Sequence, residues 1–266
     1  MKRRTISLYQ VDAFTNKVFG GNPAAVCILD EWLPEKAMQQ IAAENNLAET
    51  AFAHCDDKGI YHIRWFTPTV EVDLCGHATL ATAFVLYEQL AYQKDYIHFY
   101  SHRSGDLKVF KTGNQYCMDF PADVLESTEI TTTIEQALKC KPQAAYVGNT
   151  DLLLVFDDQE TIENMNPDLY LLNKIDVRGV IVTAPGKTCD FVSRFFGPQC
   201  GIDEDPVTGS AHTSLIPYWA ERMNKNEFTA FQLSKRGGRL CGVLKGDRVF
   251  ISGEAVLYLK GEFYCE

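Results

Sequence analysis

No apolar run in this 266-residue chain reaches the roughly 18 residues that a membrane-spanning helix needs. Positive charge is in deficit. Against 35 Asp and Glu stand 25 Lys and Arg, a formal charge of -10 that repels phosphate backbones and anionic membranes. Neither nucleic acid nor a membrane is therefore expected as a partner. The nine cysteines (27, 55, 75, 117, 140, 189, 200, 241, 265) are odd in number and scattered, and they form no C-x-x-C pair. They read as reduced thiols of a cytoplasmic protein. Missing as well are a G-x-G-x-x-G after a strand, a P-loop, an H-E-x-x-H and a G-x-S-x-G, so no nucleotide, metal or other cofactor is expected. The basic start Met1-Lys2-Arg3-Arg4 leads into strand-like alternation from Ile6 to Asp12 instead of a continuous apolar segment, and no signal peptide is expected.

What the chain does contain is an internal duplication. The run from Gly21-Asn22 to Asp30 matches that from Gly148-Asn149 to Asp157 at offset 127, and Arg64-Trp65-Phe66-Thr67-Pro68 matches Arg194-Phe195-Phe196-Gly197-Pro198 at offset 130. A shift of 133 lays Gly76 to Gly113 on Gly209 to Gly246 without a gap, with eight identities in 38 positions where composition predicts roughly two. Two lobes of about 130 residues are implied, divided at 1–122 and 123–266, with the last strand free to return to the first lobe.

Each half has strand signals followed by helical ones. Ile6 to Phe14, Ala24 to Leu29, Thr50 to His54 and Ile60 to Phe66 read as strands, and Pro34 to Asn45 as a short helix. The segment Gly76 to Leu90 has almost no polar face and predicts a helix buried on all sides. Its partner, Gly209 to Met223, carries Pro217 and should kink. Antiparallel hairpins follow around Arg103-Ser104-Gly105-Asp106 and Lys235-Arg236-Gly237-Gly238. The fold class is α+β, a mixed sheet rolled around a central helix in each lobe.

Both central helices open on a glycine with a small or polar neighbour, Cys75-Gly76-His77 and Thr208-Gly209-Ser210. Free N–H groups and the helix dipole make such a start an anion site, and a pseudo-twofold would turn both starts toward one cleft suited to a small carboxylate. The alternative is that the glycines only allow close packing. Acid/base candidates are the residues that differ between the halves. His77 faces Ser210, Cys75 faces Thr208, and Glu49 and Asp205 have no carboxylate counterpart. A helix start should push His77 toward its neutral form, in which it exchanges protons near pH 7, although it could equally be a capping or core histidine. Glu49 read alone is more often a solvated surface carboxylate than a catalytic one, and Asp205 could be a turn or cap before Pro206. A two-thiol racemase is disfavoured, since Thr208 stands where the second thiol would be.

The blocks Gly20-Gly21-Asn22-Pro23-Ala24, Asn46-Leu47-Ala48-Glu49-Thr50, Phe66-Thr67-Pro68, Asp73-Leu74-Cys75-Gly76-His77-Ala78-Thr79 and Glu204-Asp205-Pro206-Val207-Thr208-Gly209-Ser210-Ala211 resemble the phenazine biosynthesis PhzF-like family. The resemblance runs from about Tyr9 to the C-terminus and implies the diaminopimelate epimerase-like fold and a homodimer. It also implies that Glu49 is the acid/base glutamate, His77 the active-site histidine and Asp205 the active-site aspartate, with Gly76, Gly209 and Ser210 binding a carboxylate. Cys75 and Thr208 stand beside them at the substrate. The activity expected is cofactor-independent isomerisation, a proton moved by acid/base catalysis on a small carboxylate-bearing substrate. The alternatives are an epimerase using Cys75 with an opposing base, and a binder without catalysis.

Overall fold

The computed structural model describes residues 4–265, so Met1-Lys2-Arg3 of the basic start lie outside it. The chain divides into two compact units. One comprises residues 1–119 and 252–266, the other residues 120–251.

The first unit begins with β1 (Arg4–Ala13) and β2 (Asn22–Leu29), which pair antiparallel. Helix α1 (Glu35–Asn45) follows Pro34, whose fixed φ suits a helix entry, and ends where Asn46 turns left-handed at φ 48°. It returns the chain to β3 (Glu49–Cys55), parallel to β2 with Ala24 beside Glu49. β4 (Tyr61–Phe66) and β5 (Glu71–Val72) continue antiparallel. Helix α2 (Gly76–Phe84) comes next, and all nine of its residues are buried, as its apolar sequence requires. Its threonines are reconciled with that core because Thr79 and Thr82 donate to the carbonyls four residues back, Cys75 and Ala78, each at 2.7 Å. Val85–Gln89 close the helix in a wider π-type turn. β6 (Tyr96–Ser101), β7 (Gly105–Thr112) and β8 (Gln115–Pro121) then form a meander, with β6 parallel to β4.

The second unit opens with β9 (Glu126–Ser127), α3 (Thr132–Leu138) and β10 (Ala144–Val147). β11 (Asp151–Val155), α4 (Gln159–Asn164), α5 (Leu169–Leu172) and β12 (Gly179–Pro185) then repeat the parallel crossover of β2, α1 and β3. β13 (Phe191–Gly197) and β14 (Ile202–Asp205) pair antiparallel in turn. Helix α6 (His212–Met223) is followed by β15 (Glu227–Gln232), parallel to β13, then by β16 (Gly238–Lys245) and β17 (Arg248–Gly253). The final strand, β18 (Ala255–Cys265), belongs to the first unit and pairs with β1 over its whole length, Arg4 beside Cys265 and Ala13 beside Ala255.

Two sequence expectations are corrected. α6 begins at His212, not Gly209, because the His212 and Thr213 amides bond back to the carbonyls of Gly209 and Ser210 in a tight turn. Pro217 lies inside the helix, which extends to Met223. The third repeat block is also not gapless in space. Ser101 pairs with Gly105 across three turn residues, whereas Gln232 pairs with Gly238 across five, so Ser101 corresponds to Gln232 and not to Ser234.

The first unit's core holds Ile6, Cys27, Met38, Phe52 and Phe66 between α1 and the sheet. The second unit's core packs Ile134, Leu138, Ile162 and Leu172 of its short helices on Leu154, Val180, Val182 and Phe196. Among the described residues no helix is long and apolar enough to cross a membrane.

Candidate functional site

Glu49 is the first residue of β3 and His77 lies in the first turn of α2, so parallel pairing with β2 and the helix entry fix both backbones. Glu49 Oε2 lies 3.1 Å from His77 Nε2, with both residues more than nine-tenths buried. The approach is an ionic contact without hydrogen-bond alignment, and among the described residues neither atom has another hydrogen-bond partner. On the other side of the ring, Asn22 Nδ2 lies 3.1 Å and Cys75 Sγ 3.5 Å from Nδ1. One imidazole thus meets a carboxylate on one edge and an amide and a thiol on the other.

The charges follow from this packing. Burial alone would favour neutral imidazole, but its contacts with Cys75 and with the Glu49 carboxylate outweigh burial and hold His77 well above its ordinary value. The expectation of a neutral His77 is therefore overturned, because a buried carboxylate in contact acts more strongly than one short helix dipole. Burial, followed by Glu49's negative charge, pushes the Cys75 thiol up to about 11. Cys75 is accordingly a protonated thiol at neutral pH, beside an imidazolium and a carboxylate.

The second unit carries its own cluster at the end of β14. Thr208 Oγ1 donates to Asp205 Oδ2, and the buried Gln232 holds the loop between them from the end of β15. The Gln232 amide donates to the Asp205 carbonyl at 2.8 Å and to Thr208 Oγ1 at 3.2 Å, while its oxygen accepts from the Thr208 amide at 2.8 Å. Ser210 accepts from Arg178 Nη2 at 3.1 Å, and the same guanidinium grips the buried Asp151 through two nitrogens. Asp151 stabilises Arg178's charge against burial and raises its pKa. His212 donates from Nδ1 to the Thr208 carbonyl at 2.9 Å, and burial pushes its pKa down to about 4, leaving it neutral.

The first unit therefore brings together Glu49, Cys75, Gly76 and His77. The second gathers Asp205, Thr208 and Ser210 around Gln232 and Arg178, with Gly209 in the turn ahead of α6. The asymmetry of Glu49 is visible in strand pairing: its repeat position is Gly179, whose absent Cβ would meet the Phe195 ring at 2.1 Å. Sequence reasoning missed Asn22, Arg178, Asp151 and Gln232. Gln232 left a signal, the third member of the buried alternation Phe228, Ala230, Gln232, where a long polar side chain must have a partner. Arg178 and Asp151 left none, being 27 residues apart in separate segments.

A family model described as phenazine biosynthesis-like protein matches residues 11–261. A Pseudomonas aeruginosa protein named an uncharacterized isomerase is 49% identical over 259 residues, which are 97% of this chain and 99% of that relative. A crystal structure of a phenazine biosynthesis protein of the PhzF family from Enterococcus faecalis is similar at a TM-score of 0.95 and 49% identity, covering 98% of this chain and 100% of that one. Similar in fold alone is a hydroxyproline epimerase from Agrobacterium vitis with bound trans-4-hydroxy-L-proline, at a TM-score of 0.64 and 10% identity, covering 98% and 93% of the two chains.

Proposed function

The chain belongs to the phenazine biosynthesis-like family, with the epimerase-like α+β fold, and is an isomerase; from that premise we propose that Glu49 moves a proton between carbons of a small carboxylate-bearing substrate. The observation that supports this is the buried 3.1 Å contact between Glu49 Oε2 and His77 Nε2, two atoms with no other hydrogen-bond partner among the described residues. An ionised carboxylate buried against an imidazolium is a base whose protonated form has a neighbour ready to return or relay the proton. Glu49 removes a proton from carbon activated by the carboxylate-bearing system. His77 supports the charge that develops, and Glu49 or His77 delivers the proton to the new position. No cofactor enters this reading, since every step uses side chains of the chain itself.

Asp205 is assigned as a further polarising or relaying carboxylate acting on the same substrate. Ser210 is assigned as a hydroxyl that binds its carboxylate, alongside the glycine amides of residues 76 and 209. The bound hydroxyproline of the epimerase named above is a substrate of that size and charge, which favours a small carboxylate here. Epimerisation with Cys75 as base has less support, because a thiol pushed up to about 11 lacks the negative charge a base needs. A homodimer in the cytoplasm goes with the family resemblance, and sedimentation tests the dimer.

The decisive experiment incubates the protein with a panel of cyclic and unsaturated carboxylates in D2O and follows exchange and double-bond movement by proton NMR. Glu49→Gln should abolish both, a loss of roughly 10²-fold or more, while ligand binding persists. Exchange retained by Glu49→Gln removes Glu49 from the chemistry.

A further inference from the structure

The geometry points to a binding site for one thiophilic divalent cation, of the zinc class, held by Glu49, Cys75 and His77 in the first unit, where it masks the carboxylate assigned as the base. One carboxylate oxygen, one thiol sulfur and one imidazole nitrogen lie within 4.8 Å of one another, and all three residues are buried. Zinc binds oxygen, nitrogen and sulfur at about 2.0–2.3 Å, which sets the edges of its tetrahedron at roughly 3.3–3.8 Å. The Glu49 Oε2 to His77 Nε2 edge, at 3.1 Å, is already close to that length. No edge of the trio exceeds 4.8 Å, so the remaining excess over the tetrahedral length is on the order of 1 Å, within reach of side-chain rotation.

The surroundings favour the same occupant. The Asn22 side-chain amide lies against His77 Nδ1 at 3.1 Å; turned so that its oxygen instead of its nitrogen faces the ring, it accepts the Nδ1 proton that a metal-binding imidazole keeps. That leaves Nε2, buried and without a hydrogen bond, as the ligating atom next to Glu49 Oε2 in the same condition. A thiolate, a carboxylate and a neutral imidazole carry two negative charges, so a divalent ion makes the buried cluster neutral overall. The soft sulfur and the single carboxylate disfavour magnesium and calcium, which require several hard oxygens. Binding releases the thiol proton of Cys75 and the ring proton from His77 Nε2 to solvent, since each ligand presents a lone pair to the ion. Three protein ligands leave a fourth position for water or a substrate carboxylate. The site itself is independent of the proposed isomerase chemistry, whereas the masking rests on Glu49 being the base.

The test uses the full chain freed of metal with a chelator and titrated with Co²⁺ as a spectroscopic probe. One equivalent should produce a thiolate-to-cobalt charge-transfer band, and Zn²⁺ should displace it and raise the melting temperature, while Mg²⁺ does neither. Cys75→Ala should remove the band and weaken zinc by about 100-fold in competition with a chromophoric chelator, and Glu49→Gln should weaken it by about 10-fold or more. Far-UV circular dichroism of both variants, with Cys75→Ser as a near-isosteric second case, verifies that the fold is kept. A charge-transfer band that survives in Cys75→Ala and Cys75→Ser puts the ion on another of the nine thiols and overturns the proposal, as does failure of the parent chain to bind one equivalent. Proton exchange that continues with the cobalt band at saturation overturns the masking and leaves the ion site standing.

Discussion

Thr79 and His212, 133 positions apart, perform one task in the two units. Thr79 Oγ1 donates to the carbonyl of Cys75 at 2.7 Å, and His212 Nδ1 donates to the carbonyl of Thr208 at 2.9 Å, each reaching back four residues at the entrance of a buried helix. The duplicated chain has kept the constraint on the turn and exchanged the chemistry that supplies it. A hydroxyl does not titrate near neutrality, whereas an imidazole does, so only the second unit acquires a pH liability at this position.

That difference predicts an acid-side loss of stability. His212 has a folded pKa depressed to about 4 from an ordinary 6.5, so between these values the unfolded chain binds more protons than the folded one. Stability contributed by keeping this ring neutral is complete above pH 6.5 and is lost as pH falls toward 4, by about 3 kcal/mol at most. His77 acts in the opposite sense. Its raised pKa gives stability that is complete below 6.5 and is lost as pH rises through the folded value. Urea unfolding between pH 4 and 7 should show a shallower slope for His212→Thr, which copies the first unit's solution. An unchanged slope would mean that the acid sensitivity arises elsewhere.

The charge state of His77 depends on Glu49. In metal-free protein the His77 ring should remain protonated well above pH 6.5 when followed by nitrogen-detected NMR. In Glu49→Gln the buried carboxylate is gone and Cys75 is a neutral thiol, so desolvation governs and His77 should titrate below 6.5. A ring that titrates alike in both proteins would show that the 3.1 Å contact carries no charge coupling.

How much of this was legible beforehand follows from the range of each interaction. The all-buried α2 was legible in local sequence, since a helix without a polar face is visible along the chain, whereas the proposed roles of Glu49, His77 and Asp205 came from the family resemblance, the residues alone leaving a surface or capping role open. The charge on His77 was not legible. It depends on a carboxylate 28 residues earlier whose direction is set by the parallel pairing of β2 and β3. The two-residue slip of the β15–β16 hairpin escaped for a related reason: the identity of Ser101 with Ser234 sets a strand end against a turn residue, and spacing is free in turns while pairing registers the strands. The start of α6 at His212 reflects a local competition between tight-turn and helical hydrogen bonds that one glycine in the sequence does not decide.

Gln232 is expected to be the support on which the Asp205 to Thr208 loop depends. Its side chain makes three hydrogen bonds in a buried setting, two to backbone groups that would otherwise have to find water. Gln232→Leu keeps the volume but removes the donor and acceptor, which should cost about 3 kcal/mol and raise hydrogen exchange at the Thr208 amide. Gln232→Glu keeps an acceptor for that amide and loses the donor to the Asp205 carbonyl, so its effect should fall between the parent and Gln232→Leu. Equal stability for all three proteins would exclude the support role.

Gly21 carries the placement of Asn22, and through it of the His77 ring. Its backbone has φ +61°, in the left-handed region that glycine adopts without a steric cost, and a Cβ there would lie 2.1 Å from the carbonyl oxygen of Ala13. That oxygen is part of β1, held between β2 and β18, so the neighbour cannot yield as the tip of a flexible side chain would. Gly21→Ala should therefore destabilise the chain by about 3 kcal/mol or more in urea unfolding, combining backbone strain with the clash. Relief of the clash would shift β2 at its first residue, Asn22, and weaken the 3.1 Å contact between the Asn22 amide and His77 Nδ1. The His77 ring resonances should consequently move in Gly21→Ala, whereas Gly105→Ala, at a turn whose added Cβ meets nothing within 4 Å, should leave them in place. If both substitutions leave the ring signals unchanged, the tight turn before β2 is not what positions the imidazole.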